Sequence, residues 1–140
     1  MKFFISGEVA KEAGEGYGKL VFLISEQINK ITEKSDYGNA IDKIAIIPTI
    51  FDLVTYIGLP YNERRLFKKK NKSADYRLAI DYETFIKTDD EGKKRLLIAN
   101  IIKSIRDLKR KIKKKEEFDE EKLEKDILDL FKLRVEDLSL

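Results

Sequence analysis

Carboxylates are the side chains of this 140-residue chain best suited to general acid–base or metal chemistry, because it contains neither histidine nor cysteine. Without cysteine there is no disulfide framework, no thiol nucleophile and no thiolate metal site. Without histidine the usual proton shuttle near neutral pH is missing, and so is the commonest metal ligand. A Ser-His-Asp or Cys-His mechanism is therefore excluded. A magnesium site would need clustered Asp and Glu oxygens. The clusters that exist, Asp89-Asp90-Glu91 and Asp119-Glu120-Glu121, are explained as helix-start residues, where carboxylates meet free amides and the positive end of the dipole. Glu8, which follows Gly7 at a strand end, is the acidic residue without such an explanation.

Phosphate chemistry finds equally little support. Gly14, Gly16 and Gly18 precede a helical pattern but lack the Lys-Ser/Thr of a P-loop. The GEGYG stretch shares glycine spacing with the dinucleotide fingerprint, yet no strand immediately precedes it. No catalytic, cofactor-binding or metal-binding residue is assigned.

Binding is the remaining class, and the basic stretch RRLFKKKNKSADYRLAID, residues 64–81, is its best candidate. With Asn71-Lys72 as a two-residue turn, Phe67 faces Tyr76 and Lys68 faces Asp75. Phe67, Tyr76, Leu78 and Ile80 then point to the core. Lys68, Lys70 and Arg77 stand on the outer side with Leu66 among them, an apolar point ringed by charge, as in many protein interfaces. Sheet-based nucleic-acid binders place aromatics outward for base stacking, whereas here they turn inward. The basic run from Lys109 to Lys115 fits a helix C-terminus, and Asp107, Glu116 and Glu117 bracket it. With 26 acidic residues against 29 basic ones, no large single-sign field develops, which disfavours nucleic acid as the partner.

These residues need a scaffold, and 140 residues suffice for a single domain with one core, residues 1–140. Residues 2–9, KFFISGEV, read as a first strand. Apolar positions 17, 20, 21, 24, 28 and 31 line one face of a helix to about Lys34. KIAIIPTI, residues 43–50, gives a second strand, in which Pro48 marks an end or an edge. Residues 51–62 carry no clear pattern beyond the turn at Gly58-Leu59-Pro60. After the hairpin, Thr88 and Glu91 have capping-box spacing. Leu97, Ile101, Ile105, Leu108 and Ile112 form the stripe of the helix behind them. Asp119 caps a last helix, Phe118 staples onto Leu123, and Ile127, Leu130 and Phe131 complete its inner face. The expected class is α+β: one mainly antiparallel sheet of about four strands, helices on one face, two of them C-terminal.

The apolar run Phe3-Phe4-Ile5 falls short of the ~7–15 residues of a signal-peptide core. Ile44–Phe51 falls short of the ~20 residues that span a bilayer. A soluble cytoplasmic protein without membrane contact is expected.

An opening KFFISGEV, an IIP ending the second strand, a basic hairpin leading into DYRLAID, and two terminal helices occur here in order. Together they resemble an immunity-protein family of bacterial polymorphic toxin systems, the one numbered forty-four. The resemblance spans nearly the whole chain. It implies a small, non-catalytic cytosolic protein that uses no cofactor and neutralises a cognate protein toxin by contact. The expected contact residues are Leu66, Lys68, Lys70 and Arg77 on the hairpin, with Glu8 and with Tyr61 as an aromatic anchor. The competing reading is a small basic nucleic-acid-binding domain; a metal-dependent hydrolase is a distant third.

Overall fold

The apolar spacing that begins at Tyr17 produces its helix, α1, spanning Tyr17–Lys34. Val21, Ile24 and Ile28 are buried on one side of it, as the spacing requires. The structure, a computed structural model, describes residues 1–5, 17–51, 65–68, 73–81, 87–112 and 115–138. Strand β1 is Lys2–Ile5 and β2 is Lys43–Phe51. The remaining residues of the expected first strand, 6–9, and the unpatterned stretch 52–62 lie outside the described residues.

Because α1 lies between them, β1 and β2 pair in parallel, with Phe3 opposite Ile44. Strands β3, Arg65–Lys68, and β4, Ser73–Asp81, complete the order β1-β2-β4-β3. β4 runs parallel to β2, and β3 alone is antiparallel, to β4. The expectation of a mainly antiparallel sheet is thus overturned. A helix joining two strands is a crossover connection, which sets neighbouring strands parallel. Pro48 does not end β2. Among the described residues it sits past Ile46, the last β2 residue paired with β1.

The hairpin forms with a different register. Phe67 lies opposite Ala74, Leu66 opposite Asp75 and Lys68 opposite Ser73, so the expected Lys68–Asp75 pair does not form. The last described pair is Lys68 with Ser73, and the turn expected at Asn71-Lys72 lies outside the described residues. A slip of two leaves the parity of the pairing unchanged. The expectation that Phe67, Tyr76, Leu78 and Ile80 point inward concerns side chains outside the described residues.

Helix α2, Asp90–Lys111, is the principal core element. Ile98, Ile102 and Ile105 are wholly inaccessible, and Leu97, Ile101 and Leu108 nearly so. Burying each such side chain contributes ~1.5–3 kcal/mol. Asp89 caps α2 by accepting from the Gly92 amide at 2.8 Å, one residue later than the expected Thr88. A carboxylate there also meets the positive end of the helix dipole. Helix α3, Glu120–Leu130, starts as expected, with Asp119 accepting from the Lys122 amide and with Phe118 and Leu123 both buried. α1 packs on β1, α2 packs on β4, and α3 touches both α1 and α2.

A clasp joins the two halves. The turn after α1 docks against the segment before α3: Asp119 N–H donates to the Tyr37 carbonyl at 2.9 Å, and Ala40 N–H donates to the Glu117 carbonyl at 3.0 Å. The buried Tyr37 hydroxyl donates to Asp126 at 2.7 Å, and burial with that carboxylate pushes its pKa well above the usual phenol value. Lys122 closes the clasp, donating to the Asp36 carbonyl with its ammonium 5.2 Å from the Tyr37 ring centre. Gly38 makes the approach possible, with φ +98° and space for a Cβ only 2.0 Å from the Glu117 carbonyl oxygen.

Two changes test this account by urea unfolding. Gly38→Ala should destabilise by at least ~1–3 kcal/mol, since both the backbone angle and the contact oppose a side chain. Ile105→Ala should cost ~2–5 kcal/mol; a loss under ~0.5 kcal/mol would mean the α2 stripe is not core.

Candidate partner-binding surface

Of the expected contact residues, Glu8, Tyr61 and Lys70 lie outside the described residues. Leu66 and Lys68 are on β3 and Arg77 is on β4, opposite Ile47 of β2. In pairing parity, Leu66 and Lys68 match Asp75 and Ser73, and Arg77 is the next position of that alternation. By pairing parity, Leu66, Lys68 and Arg77 fall in one set of backbone positions.

A second surface comes from helices that sequence reasoning treated only as scaffold. While one side of α2 enters the core, its polar side meets α3 across an open groove of ≈1080 Å³. One wall carries Lys103, Arg106 and Arg110; the other carries Glu120, Glu121 and Glu124. Leu128, Leu133 and Val135 supply the apolar lining, and Val135, in the 3-10 turn Val135–Leu138, is 44% exposed.

The charges across it are unevenly paired. Arg106 grips Glu124 with both donors, its Nε lying 3.0 Å from one carboxylate oxygen and a terminal amine bonding the other. Such a two-point bond fixes geometry as well as charge. Glu124 is held below the usual carboxylate range by that guanidinium, and Arg106 is held still more firmly protonated by Glu124. Arg110 pairs with Asp107 at 3.0 Å. Lys109 donates to the Lys115 and Phe118 carbonyls, tying the end of α2 to the start of α3.

Glu120 is the group left over. It is partly buried beside Glu124, whose charge Arg106 already satisfies. Burial, followed by the hydrogen bond and charge of Glu124, pushes its pKa up to about 7, against a smaller opposing pull from Arg106. The sequence reading stopped at Glu120 as a helix-start residue. The missed signal is that positions 103, 106 and 110 of one helix, and 120, 121 and 124 of the next, each repeat at helical spacing with opposite charge.

Among the described residues no group of three or more His, Cys, Asp or Glu is arranged to hold a metal ion. No helix among them is long and apolar enough to cross a membrane.

A family model described as Immunity protein 44 matches residues 1–133. Comparison with curated proteins and with solved structures gave no match.

The raised Glu120 carboxyl has a definite sign. The folded chain holds this proton more tightly than the unfolded chain, so the stability it brings is full below about pH 4.5 and is lost as pH rises through about 7. Glu120→Gln, neutral throughout, should melt higher than the wild type at pH 8 and show a smaller advantage at pH 5. Parallel melting curves from pH 4 to 9 check this; an equal difference at every pH would refute it.

Proposed function

Because the chain belongs to the immunity protein 44 family, we propose that it binds a cognate bacterial toxin and neutralises it by direct protein–protein contact. Families of this kind are typically non-catalytic, in accord with the expectation that the chain is not an enzyme. The family match over residues 1–133 is the observation that carries the reading. The absence of histidine and cysteine supports it, since a neutralising protein needs a stable scaffold and a distinctive surface rather than a reactive group.

Within this reading the hairpin is one contact face. Leu66 would serve as the apolar point, and Lys68, Lys70 and Arg77 would approach an acidic region of the toxin, with Glu8 and Tyr61 as further contacts. Opposite charges on the two partners speed encounter and fix orientation more than they add affinity.

Co-expression with the toxin domain encoded beside this chain's gene tests the reading. The wild-type chain should restore growth of cells making the toxin, and should co-elute with a catalytically inactive form of that domain. Neither protection nor complex formation would remove the proposal. Selective binding to DNA or RNA at ~0.15 M salt, with Kd near 10⁻⁸ M, would put a nucleic-acid-binding domain in its place.

A further inference from the structure

The sheet has two borders, β1 and β3, and the chain treats them differently. At β1 the Asn29 side-chain amide bonds both the N–H and the carbonyl of Phe3, so an outward-facing backbone position is answered from within the chain. At the other border β3 pairs with β4 on one side, and among the described residues no strand pairs with its other side. In an antiparallel pair, alternate residues turn their N–H and carbonyl groups away from the partner. Of Arg65–Lys68, two residues therefore offer both groups outward, either Arg65 and Phe67 or Leu66 and Lys68. Such a border is a template for one more strand.

Charge selects which strand fits. From Arg64 to Ala74, six of the eleven residues are Lys or Arg and none is acidic. Arg65 and Lys68 are the two ends of β3, and Lys69, Lys70 and Lys72 follow directly. Asp75 on β4, opposite Leu66, is the one carboxylate in register with β3. A second copy of this chain, adding its own β3, would set the basic run against itself. Like charges facing each other across a ladder oppose pairing, and lysines on edge strands commonly keep copies apart for this reason. A strand that carries Asp or Glu escapes that repulsion and meets opposite charge instead.

We propose that the toxin adds an extended, acidic segment to the outer edge of β3 as a further strand of the sheet. The proposal rests on the toxin-neutralising reading and gives the hairpin a mode of contact. Backbone groups of β3 supply the hydrogen bonds, while the cations on and beside it choose the segment and speed its arrival. The two borders then have separate tasks, one closed by Asn29 and the other kept for the partner.

The experiment follows backbone amide exchange by NMR, in the free chain and in its complex with the catalytically inactive toxin domain encoded beside this chain's gene. In the free chain two alternate amides of β3 should exchange fast. In the complex those two should slow at least tenfold, with intermolecular contacts between backbone protons of β3 and of the toxin. In parallel, the double variant Arg65→Glu, Lys68→Glu should lower the association rate at least tenfold at low salt, the difference shrinking as salt is raised. A complex whose outward β3 amides stay fast, or slow without backbone contacts, would overturn strand addition while leaving toxin neutralisation standing. No complex at all would overturn both. Slow outward amides in the free chain also overturn the proposal: a second copy holds the edge if that chain is dimeric, and another segment of the same chain holds it if monomeric. Wild-type association by the folded double variant would overturn the acidic occupant. Should that variant fail to fold, exchange in the wild type decides alone.

Discussion

Helix α2 must hide an aliphatic surface broader than a single seam. At 100° per residue, Leu97, Ile98, Ile101, Ile102, Ile105, Leu108 and Ile112 cover an arc of about 140°. No one neighbour can cover that much. β4, α3 and the final 3-10 turn each pack against α2. Even its small residues are enclosed: Ala99 is buried, and Ser104 is buried with its hydroxyl donating to the Asn100 carbonyl at 2.7 Å. Everything else in the described structure is arranged around this demand. The clasp at Tyr37 and Gly38 is one answer to it, since it pins the start of α3, which packs on α2, against the turn after α1.

The same demand dictates where function can lie. Once an arc of α2 is fixed inward, the polar residues that remain must form its outer wall, and the start of α3 lies across from them. The uneven pairing of Arg106, Glu120 and Glu124 follows from placing two carboxylates one helical turn apart opposite one guanidinium. In a chain without histidine, Glu120 is also a group able to exchange a proton near pH 7, a role its residue type does not ordinarily have.

Much of this was legible before any coordinates. The spacing from Tyr17, the α2 stripe and the Asp119 cap with its Phe118 staple depend on local periodicity and cap chemistry, and each appears where it was read. The errors came from non-local quantities. Strand direction depends on what connects two strands and on which ones become neighbours, so a correct strand–helix–strand order was still read as antiparallel. Hairpin register depends on loop length, and Asn71-Lys72 is a plausible tip, but the described pairing of Phe67 with Ala74 differs by two residues from the one that tip requires. The α2 cap moved by one residue because Thr88 and Asp89 are both good caps and only the backbone selects between them. The α2–α3 groove was harder still, since it requires knowing which polar faces of two helices meet.

At the outer edge of the sheet, β1 would offer a row of free backbone groups, but α1 reaches across to occupy it. Asn29 accepts from Phe3 N–H at 2.7 Å and donates to the Phe3 carbonyl at 2.5 Å, reproducing with one side-chain amide the two bonds a neighbouring strand would make. Unpaired edges invite other chains to add themselves to a sheet. Here that invitation is withdrawn at β1 by a residue belonging to the crossover helix itself. A protein made to meet one partner has reason to refuse others, above all a second copy of itself joining edge to edge. At this border of the sheet, sociability is limited by a single asparagine.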